Sequence, residues 1–399
     1  MVGAGAAGLM AALVAAGRGR RTLLLEKNQR PGLKILVSGG GRCNLTTTLA
    51  GSELEAQFGA RAGRWLRHAL RSFPPVALRQ LVEDAGVPLR EEDLQKIFPV
   101  SQKARDVLDA LLRVAAAADV QLRHAAPLRA LVREGQQFVA TVPQGELHAA
   151  SVVLATGGVS YPKTGATGDG YAFCRAFGHT ITRTVPALAP LVVEVPWVQA
   201  LQGIVLEAAE LSVLDEHGKV VRSRRRPILF THQGLSGPAP MDLSGDIEER
   251  PGGATLRFDF APDVRAEQLE QQWLEQTRSH GRAAVASLLP RTLPERLRAT
   301  LCALAGVAGT LAELGREQRR RLLLLVKDLR LPVAKSRGFD HAEVTRGGIA
   351  LAEVDPRTMQ SRLVPGLYVC GELLDVDGPI GGFNFQAAFA TGRLAGLHA

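Results

Sequence analysis

Val2-Gly3-Ala4-Gly5-Ala6-Ala7-Gly8-Leu9 is the stretch that decides the fold of this chain. Gly3, Gly5 and Gly8 have the spacing G-x-G-x-x-G, which suits a tight turn from a strand into a helix. Gly3 makes the turn, Gly5 lets backbone approach a diphosphate, and Gly8 lets the helix pack closely on the strand. The Ala- and Leu-rich segment that follows is predicted to be the helix. The stretch therefore predicts the start of a dinucleotide-binding domain.

The acidic residue at the end of the next strand supports this interpretation. Arg21-Thr22-Leu23-Leu24-Leu25 is a short apolar run that is typical of a buried strand, and Glu26 follows it. A carboxylate at this distance from the glycines can accept hydrogen bonds from both hydroxyls of an adenosine ribose. It also disfavours a 2′-phosphate, because two anions repel each other.

The start of the chain departs from the expected pattern. A strand should precede Gly3, but only Met1 and Val2 stand there. A strand usually has about five residues, and this one would lie in the middle of the sheet. We therefore expect a truncated first strand, through mis-assigned initiation or loss of the true start.

Composition indicates an ordinary globular protein. The chain has 399 residues, of which 46% are hydrophobic and 22% are charged, and this length allows two domains. No apolar run approaches the length of a membrane span, and the charges Arg18, Arg20 and Arg21 follow the apolar front where a signal peptide would have them precede it. Four scattered cysteines indicate a reducing compartment, with neither a disulfide framework nor a zinc site. We expect a soluble, cytoplasmic protein without a bound metal.

The basic balance does not by itself indicate a nucleic-acid-binding protein. The formal net charge is +9, and arginines cluster at Arg222–Arg226 and Arg319–Arg321. A nucleic-acid surface usually interleaves aromatic side chains, whereas aromatics are only 5% of this chain. We interpret the clusters as solvated faces, and we expect neither a nucleic-acid partner nor a membrane partner.

Two further glycine-rich segments of the first half are candidates for ligand contact. Asn28 to Thr48 is predicted to be a loop, and its Ser38-Gly39-Gly40-Gly41-Arg42-Cys43-Asn44 run can present backbone N–H groups to one ligand. Lys34 and Arg42 can add positive charge there. Ser151 to Leu154 is predicted to be a buried strand that ends in Ala155-Thr156-Gly157-Gly158, where small residues can admit a ring.

The middle of the chain has a different pattern. Short alternating strands from Leu191 to Phe260 precede helices predicted at Ala266–Ser279, Arg282–Leu289, Glu295–Ala305 and Glu317–Leu329. The pattern indicates an inserted substrate or cap domain, a β-barrel with helices, over residues 187–335. His232 and Ser236, in the loop Thr231–Pro238, either face a substrate or belong to a rigid turn that satisfies its own backbone.

The last third returns to the first domain, which we assign to residues 1–186 and 336–399. Val344-Thr345-Arg346-Gly347-Gly348-Ile349 is predicted to be a strand with a glycine pair, and Gly366 to Glu372 a final buried strand. Gly378 to Gln386 then opens a closing helix, whose glycine-rich start offers free N–H groups and a positive dipole end. Two glycine-rich helix starts, from opposite ends of the sequence, are thus predicted to converge on one cofactor.

Taken together, these motifs resemble those of the BaiN/YhiN family of bacterial flavoproteins, with more distant fumarate reductase-like relatives. The matching segments are G-A-G-A-A-G, S-G-G-G-R-C-N, A-T-G-G-V-S-Y-P-K-T-G, F-T-H-Q-G-L-S-G-P, T-R-G-G-I and G-E-L-L-D-V-D-G-P-I-G-G-F-N-F-Q, in the family's order. The resemblance implies an α/β, Rossmann-like FAD-binding domain interrupted by an insert domain. It places Ser38 to Asn44 beside the flavin, Glu372 at the ribityl chain and the start of the closing helix at the pyrimidine edge of the flavin. The candidate cofactor-binding residues are Gly3, Gly5, Ala6, Ala7, Gly8, Glu26, Lys27, Lys34, Ser38, Gly39, Gly40, Gly41, Arg42, Cys43, Asn44, Ala155, Thr156, Gly157, Gly158, Gly371, Glu372, Gly382, Phe383, Asn384 and Gln386.

These observations predict an FAD-dependent oxidoreductase that transfers hydride between flavin and a small organic substrate, for example in reducing or forming a C–C double bond next to a carbonyl. Arg42, Arg346 and His232 are the candidate catalytic residues, since arginine can bind a carboxylate and histidine can move a proton near neutral pH. NAD(P)H is a candidate electron donor, although no second G-x-G-x-x-G follows Ala155 to offer it a site of its own. The alternatives are an NAD-dependent dehydrogenase without flavin and a non-enzymatic or RNA-associated flavoprotein. The sequence specifies neither the substrate nor the oligomeric state.

Overall fold

A computed structural model describes residues 1–250 and 252–399 of the protein. The chain divides into two compact units, a discontinuous unit, Met1–Val185 with Glu343–Ala399, and an inserted unit, Pro186–Ala342. The boundaries drawn from the sequence lay at residues 187 and 335, so the inserted unit extends seven residues further toward the C-terminus (342 − 335). Each unit has a hydrophobic core of its own.

The helices of the described chain are spread over both units. They are α1 Ala6–Gly17, α2 Leu33–Gly41, α3 Gly51–Ala56, α4 Gly59–Ser72, α5 Pro75–Asp84, α6 Ala104–Ala117, α7 Asp169–Ala176, α8 Pro196–Ala200, α9 Pro238–Glu248, α10 Ala266–Ser279, α11 Glu295–Ala305, α12 Arg316–Lys327 and α13 Phe383–His398.

The strands are mostly short. They are β1 Leu23–Leu25, β2 Thr46–Thr47, β3 Leu89–Glu92, β4 Lys96–Pro99, β5 Gln121–Arg123, β6 Ala130–Glu134, β7 Gln137–Val142, β8 Gly145–Ala149, β9 Val152–Leu154, β10 Val185–Ala187, β11 Leu191–Val192, β12 Val205–Leu206, β13 Glu210–Leu214, β14 Val220–Arg224, β15 Ile228–Thr231, β16 Gly234–Ser236, β17 Ala254–Asp259, β18 Leu329–Val333, β19 Lys335–Ser336, β20 Val344–Arg346 and β21 Leu367–Val369.

A parallel sheet organises the discontinuous unit. β1 pairs in parallel with β5, and β9 pairs in parallel with β21. Val2 lies between these two pairs, with parallel bridges to Leu25 and Leu154. The order is therefore β5, β1, Val2, β9, β21, and Val2 occupies the central position that we predicted for a first strand. Parallel strands buried on both faces are typical of doubly wound α/β domains, and the predicted fold class is confirmed.

Helices α1 and α13 pack against each other because both are apolar and carry small residues at the contact. A Cβ added to Gly392 would lie 2.3 Å from the backbone oxygen of Ala7, and one added to Gly396 would lie 2.4 Å from that of Ala11. Only glycine lets the two backbones approach so closely. Helices that are apolar on all sides belong in an interior, and most residues of both helices are buried.

Two antiparallel sheets and a group of helices make up the inserted unit. One sheet has the order β12-β15-β16-β11-β19, and the other has the order β14-β13-β17-β18. Because these pairings leave two separate sheets among the described strands, they correct the prediction of a barrel. Trp273, which is 1% exposed, and Phe258 belong to the core of this unit.

The structure differs from the sequence prediction at several helices and loops. The loop predicted over residues 28–48 contains α2, and the helix predicted at Arg282–Leu289 is only the short 3-10 turn Val285–Leu288. The helix predicted to reach Leu329 ends at Lys327, and the strand β18 begins at Leu329. The helix at Ala266–Ser279 is confirmed.

Candidate functional site

The turn into α1 has the shape that an anion-binding helix start requires. Gly3 has a φ of +96°, and a Cβ added to it would lie 2.5 Å from the backbone oxygen of Ala155. A Cβ on Gly8 would lie 1.8 Å from the backbone oxygen of Gly3, whereas a Cβ on Gly5 would meet nothing within 4 Å. No side chain caps the helix at Gly5. The first N–H groups of α1 therefore face an open side, where a phosphate can bind.

Glu26 is buried and fixed beside this turn. One carboxylate oxygen accepts a hydrogen bond from the backbone N–H of Ala4 at 3.0 Å, and the other accepts one from that of Asn28 at 2.8 Å. A carboxylate oxygen can accept more than one hydrogen bond. Glu26 is therefore oriented by the backbone and still has acceptor capacity for ribose hydroxyls.

Lys27 is neutralised by α7. Its Nζ lies 2.8 Å from Oδ2 of Asp169 and 2.7 Å from Oγ1 of Thr167, and the Thr167 hydroxyl also donates to Asp169. Although burial alone would raise the pKa of Asp169, its hydrogen bonds with Lys27 and Thr167 hold it below the usual value. Lys27 therefore carries a paired charge at this edge of the site.

The predicted glycine loop is the irregular end of α2. Ser38 is extended, and Gly39 and Gly40 have φ values of +55° and +69°. A Cβ on Gly40 would meet nothing within 4 Å, whereas one on Gly39 would lie 3.0 Å from the backbone nitrogen of Asn44. Consecutive residues in such conformations can form a concave group of N–H donors. Ser38 donates its hydroxyl hydrogen to the oxygen of Ile35.

Arg42 makes contacts within the protein. Its Nη1 donates to Glu92 at 3.0 Å and to Gln102 at 2.9 Å, and its guanidinium lies 4.2 Å from the centroid of the Phe98 ring. The hydrogen bond from Arg90 and, to a smaller extent, the charge of Arg42 hold the pKa of Glu92 below its usual value. Any contact of Arg42 with a substrate or a flavin has to be made in addition to these.

Cys43 faces the interior. The residue is 1% exposed, and burial raises the pKa of its thiol to about 12. A thiol in this state is neither a nucleophile nor an acid at neutral pH. If Cys43 contributes to a cofactor site, it does so through its backbone.

Glu372 is the centre of a polar cluster that joins four distant segments. Lys34 Nζ lies 2.7 Å from Glu372 Oε2, Ser160 Oγ lies 2.5 Å from Oε1, and the N–H of Thr345 donates to Oε1 at 2.9 Å. The Thr345 hydroxyl accepts hydrogen bonds from the N–H groups of Val159 and Ser160. The contact between Ser160 and Lys34, at 2.7 Å, closes the cluster.

The small residues around this cluster leave little room for side chains. A Cβ on Gly158 would lie 2.4 Å from Oγ1 of Thr345, and one on Gly371 would lie 2.8 Å from Cβ of Ala7. Ala155 donates its N–H to the oxygen of Val2. The adjacent Thr156 hydroxyl is buried, and Gly157 has a φ of +77°. The strand end Ala155–Gly158 is therefore packed against both α1 and the Glu372 cluster.

The start of α13 is a second helix terminus without a side-chain cap. Gly382 has a φ of +81°, and a Cβ there would lie within 2.6 Å of three backbone atoms of Thr46. With its amide oriented to suit both neighbours, Asn44 donates to the oxygen of Thr46 at 3.2 Å and accepts from the N–H of Gly382 at 3.0 Å. The end of the α2 segment is thereby tied to the start of α13.

The side chains of the F-N-F-Q segment are used inside the protein. Phe383 packs edge-on against Phe58, with ring centroids 6.4 Å apart. Asn384 exchanges two hydrogen bonds of 2.8 Å with the backbone of Gly378. Gln386 is fully buried, accepts from the Thr46 hydroxyl and donates to the oxygen of Phe73. This helix start therefore offers a cofactor its backbone, and the roles predicted for these side chains stay predictions.

The two helix starts lie at a spacing that suits a dinucleotide. Gly392, which contacts Ala7 at the start of α1, is ten residues along α13 from Gly382. A helix rises about 1.5 Å per residue, so the two starts are on the order of 15 Å apart. A long, two-ended cofactor can contact both.

Arg346, a predicted catalytic residue, is ion-paired. Its Nε and Nη2 both approach the carboxylate of Asp377, at 3.1 to 3.2 Å. Asp375 lies two residues before this partner, and burial raises its pKa while the charge of Arg61 opposes the shift. Because Asp377 already neutralises the guanidinium, a substrate carboxylate would have to compete for Arg346.

His232 lies in the inserted unit, at the turn between β15 and β16, and its side chain is exposed. The Thr231 hydroxyl donates to the oxygen of Gly234 and accepts from the N–H of Gln233, so the turn satisfies part of its own backbone. The structure thus brings Arg42 and Arg346 into the discontinuous unit and His232 into the other. Its catalytic role stays a prediction.

Sequence reasoning did not single out Ser160, Thr345 and Asp377. Ser160 and Thr345 stand inside quoted motifs, A-T-G-G-V-S and T-R-G-G-I, and both are buried polar residues. A polar residue within an otherwise apolar or glycine-rich motif is the signal that could have found them, since a buried hydroxyl requires a partner.

Comparisons with known proteins identify the family of this chain. A family model described as HI0933-like protein Rossmann domain matches residues 1–398. The ribosomal RNA dihydrouridine synthase of Escherichia coli (strain K12) is 32% identical over 395 residues, covering 98% of this chain and 95% of the relative. The 3-dehydro-bile acid delta(4,6)-reductase of Clostridium scindens (strain ATCC 35704 / DSM 5676 / VPI 13733 / 19) is 30% identical over 403 residues, covering 99% and 97%.

One solved structure shows the same fold. The 3-ketosteroid delta1-dehydrogenase from Sterolibacterium denitrificans aligns with a TM-score of 0.52 at 16% identity, covering 100% of this chain and 98% of that one. In the part of the chain that the structure describes, no helix has the length and apolar content to cross a membrane. With the family model matched along nearly its whole length, the chain belongs to the HI0933-like family of FAD-binding Rossmann proteins.

Proposed function

We propose that this FAD-dependent oxidoreductase reduces a carbon–carbon double bond conjugated to a carbonyl group, and that its substrate is a uridine of ribosomal RNA. Dihydrouridine differs from uridine by two hydrogens across C5 and C6, and that double bond is conjugated to the C4 carbonyl. A relative named for dihydrouridine synthesis is 32% identical over nearly the whole chain. The relative named as a bile acid reductase acts, by its name, on double bonds conjugated to a 3-oxo group.

The observation that carries the proposal is the pair of uncapped glycine helix starts in one unit, α1 at Gly5 and α13 at Gly382. Both offer backbone donors to an anion or an electron-rich ring. A nicotinamide dinucleotide needs only one such start. A Cβ added to Gly5 or to Gly40 would meet nothing within 4 Å, so both glycines leave room for a ligand to approach the backbone.

Individual residues would hold the parts of FAD as follows. The N–H groups of Gly5 to Gly8 would bind the diphosphate, and Glu26 would bind the adenosine ribose. The Glu372 cluster, with Lys34 and Ser160, would meet the ribityl hydroxyls. The backbone of Gly39 to Gly41 and of Gly382 would line the flavin, where a positive helix end favours negative charge.

Bound FAD supplies the hydride of the reaction. The protein has to place C6 of the uracil ring at the cofactor and to deliver a proton to C5, so that two C–H bonds replace the π bond. The candidate for the proton donor that the sequence offers, His232, lies in the inserted unit, and its role stays a prediction. NAD(P)H is the proposed source of the two electrons, and it would have to visit the site between turnovers.

This proposal reverses one expectation from composition. The scarcity of aromatic residues argued against a nucleic-acid partner, and that argument concerns surfaces on which bases stack. An enzyme that takes one nucleotide from a folded RNA can bind mainly through the phosphate backbone. The net charge of +9 favours such a substrate.

The test is anaerobic reduction of the purified holoprotein with NADH or NADPH, followed by incubation with unmodified ribosomal RNA transcripts. We expect bleaching of the flavin absorbance and a uridine that gains two hydrogens by mass spectrometry. A small 4-en-3-oxo steroid forms the second arm, because the 30% identical relative favours a small enone. If only the steroid is reduced, the substrate is a small enone and the RNA substrate is wrong. An RNA mass that stays unchanged with every electron donor would also contradict the proposed RNA substrate.

Paired variants show whether the cofactor is held as proposed. Glu26→Gln places an amide where two buried N–H groups need an acceptor, so we expect it to lose most of its FAD. Glu146→Gln, on the exposed strand β8, makes the same chemical change and should keep its FAD. Equal FAD content in both variants would contradict the assignment of Glu26.

A further inference from the structure

One face of α4 is basic along almost its whole length. Arg61, Arg64, Arg67, His68 and Arg71 are all exposed, and we call them the α4 basic face. At 100° per residue they fall within about 120° of the helix circumference. The opposite side carries Leu66, Ala69 and Leu70, which are buried. The stripe is therefore the solvent side of an amphipathic helix, and it concentrates positive charge in a line.

Little negative charge opposes this face. Arg67 and Arg71 share Glu55, with Nε to oxygen distances of 2.9 and 2.8 Å. Arg64 contacts only the backbone oxygen of Ala60, at 3.5 Å, among the hydrogen bonds described for its side chain. The discontinuous unit has 27 basic and 20 acidic residues, a difference of +7 out of the total of +9. The face thus lies on the unit that carries most of the excess charge.

The N-terminal end of the α4 basic face lies beside the candidate cofactor site. Phe58, which precedes α4, packs against Phe383 at the start of α13. Arg61 lies close enough to Asp375 to oppose the rise in its pKa that burial causes. Asp375 is in turn two residues from Asp377, the partner of Arg346.

The positive charge continues at the other end. Burial lowers the pKa of His398, the charges of Arg18 and His68 lower it further, and the charge of Asp355 opposes the shift. Arg18 also donates to the oxygen of Gly396 at 3.1 Å. Arg18 and His398 therefore add positive or titratable side chains at the end of α13.

The arginine cluster at Arg222–Arg226, which is the densest in the sequence, is paired with carboxylates. Arg224 and Arg226 pair with Asp242, Arg222 pairs with Asp246, and Arg225 pairs with Asp263. These pairs are formed within the inserted unit. Among the described residues, the one ion-pair partner of the α4 basic face is Glu55, which Arg67 and Arg71 share.

We propose that the α4 basic face binds the phosphate backbone of the RNA substrate and leads the target nucleotide to the cofactor site. This inference rests on the proposed function, whose substrate it deepens. From Arg61 to Arg71 the face is about 15 Å long, which is long enough to contact several phosphates of one strand. Arginines spaced along one face of a helix can neutralise successive phosphates, and such contacts carry no base specificity.

A phosphate track fits these residues better than a membrane surface. A helix that binds membranes carries exposed apolar side chains beside its charges. Within Gly59–Ser72, all of which the structure describes, no large apolar side chain is exposed. A linear row of charges without an apolar edge fits a polyanionic chain.

The test compares two double variants with equal loss of charge. Arg61→Gln/Arg64→Gln removes two residues of the face and leaves the Glu55 pairs intact. Arg320→Gln/Arg321→Gln removes two exposed arginines from α12 in the other unit. Binding of a single-stranded ribosomal RNA fragment is measured by fluorescence anisotropy over a series of KCl concentrations. FAD content and thermal unfolding verify that each variant is folded.

We expect the α4 variant to bind RNA about tenfold more weakly and to lose about 1.4 from the slope of log affinity against log salt, since each single-strand phosphate contact contributes about 0.7. Arg61→Lys/Arg64→Lys should keep the slope, because it keeps the charges. The α12 variant should match the wild type. Equal losses in the α4 and α12 variants would mean that only net charge matters, and no loss in the α4 variant would also overturn the proposal.

The remaining outcomes separate the surface from the reaction. If RNA binding depends on the α4 basic face but no uridine is reduced, the binding surface is supported and the proposed uridine substrate is wrong. If the protein reduces the steroid but does not bind RNA, the proposed RNA-binding surface is wrong, and the assignment as a flavin-dependent reductase still holds. Loss of sedimentation with anionic phospholipid vesicles in the α4 variant, with RNA binding intact, would assign the face to a membrane and overturn the proposal.

Discussion

The carboxylate of Glu55 is buried, yet two arginines keep it ionised. Burial alone would raise its pKa, but the hydrogen bonds from Arg67 and Arg71 hold the pKa of Glu55 below its usual value of 4.5. A carboxyl group whose pKa is depressed in the folded state stabilises the fold above its unfolded pKa. That contribution is lost as the pH falls through the folded pKa.

Glu55→Gln should therefore lower the melting temperature at neutral pH, and the difference from the wild type should shrink as the pH falls below about 4.5. Glu53→Gln, an exposed neighbour on the same helix, is the control and should show little difference at any pH. Thermal unfolding followed by circular dichroism at several pH values measures both. A difference for Glu55→Gln that stays constant down to pH 3 would show that its charge is not the cause.

Residues whose roles depend on local geometry were predictable. Gly3, Gly8 and Glu26 follow from the spacing of a strand–turn–helix unit, because that spacing fixes the backbone. Ser160 and Thr345 meet only through the folded chain, 185 residues apart, so spacing holds no information about them. The amide of Gln386 lies in the interior, where it accepts a hydrogen bond from the Thr46 hydroxyl and donates one to the oxygen of Phe73, and its contact with a cofactor stays a prediction.

At the scale of elements, two errors have clear physical causes. Helix α9 was missed because Gly237-Pro238 was taken as a turn, whereas proline is favoured in the first turn of a helix. The helix expected at Arg282–Leu289 contains Ala, Leu and Val, which are compatible with either structure over a short run. Pro290 and the bridge from Ala284 to Thr310 limit that segment to one tight turn.

The contact between α1 and α13 depends on a missing side chain. In Gly392→Ala the new Cβ would lie 2.3 Å from the backbone oxygen of Ala7, so the helices must separate. We expect a loss of about 1–3 kcal/mol in stability, or roughly 2–10 °C in melting temperature for a unit of this size, and weaker FAD binding because the start of α1 shifts.

Gly17→Ala is the matched control for that variant. It adds the same methyl group to the last turn of α1, where it would meet no atom within 4 Å. Since alanine is a better helix former than glycine, Gly17→Ala should be neutral or slightly stabilising. Calorimetry and FAD titration measure both variants, and similar losses would show that close packing at Gly392 is not what matters.

At the scale of the molecule, the two hydrophobic cores are separate sets of residues, one in each unit. Units with their own cores can unfold independently. We therefore expect two thermal transitions, of which FAD raises only that of the discontinuous unit. At 100 times the dissociation constant, the stabilisation is about 2.7 kcal/mol.

Tryptophan fluorescence assigns the transitions. Trp65 lies in the discontinuous unit, and Trp197 and Trp273 lie in the inserted one. In Trp65→Phe, the fluorescence should follow only the transition that FAD leaves unchanged. One transition that FAD shifts as a whole would show that the units unfold together.

The pairing of β9 with β21 has a consequence for biosynthesis. These strands join residues 152–154 to residues 367–369, whereas the inserted unit is one continuous segment. On a ribosome that adds about 5–20 residues per second, the inserted unit is fully translated before the last strand of the parallel sheet exists. We therefore expect the nascent chain to bind FAD only after β21 and α13 have been translated, because the discontinuous unit is incomplete without them.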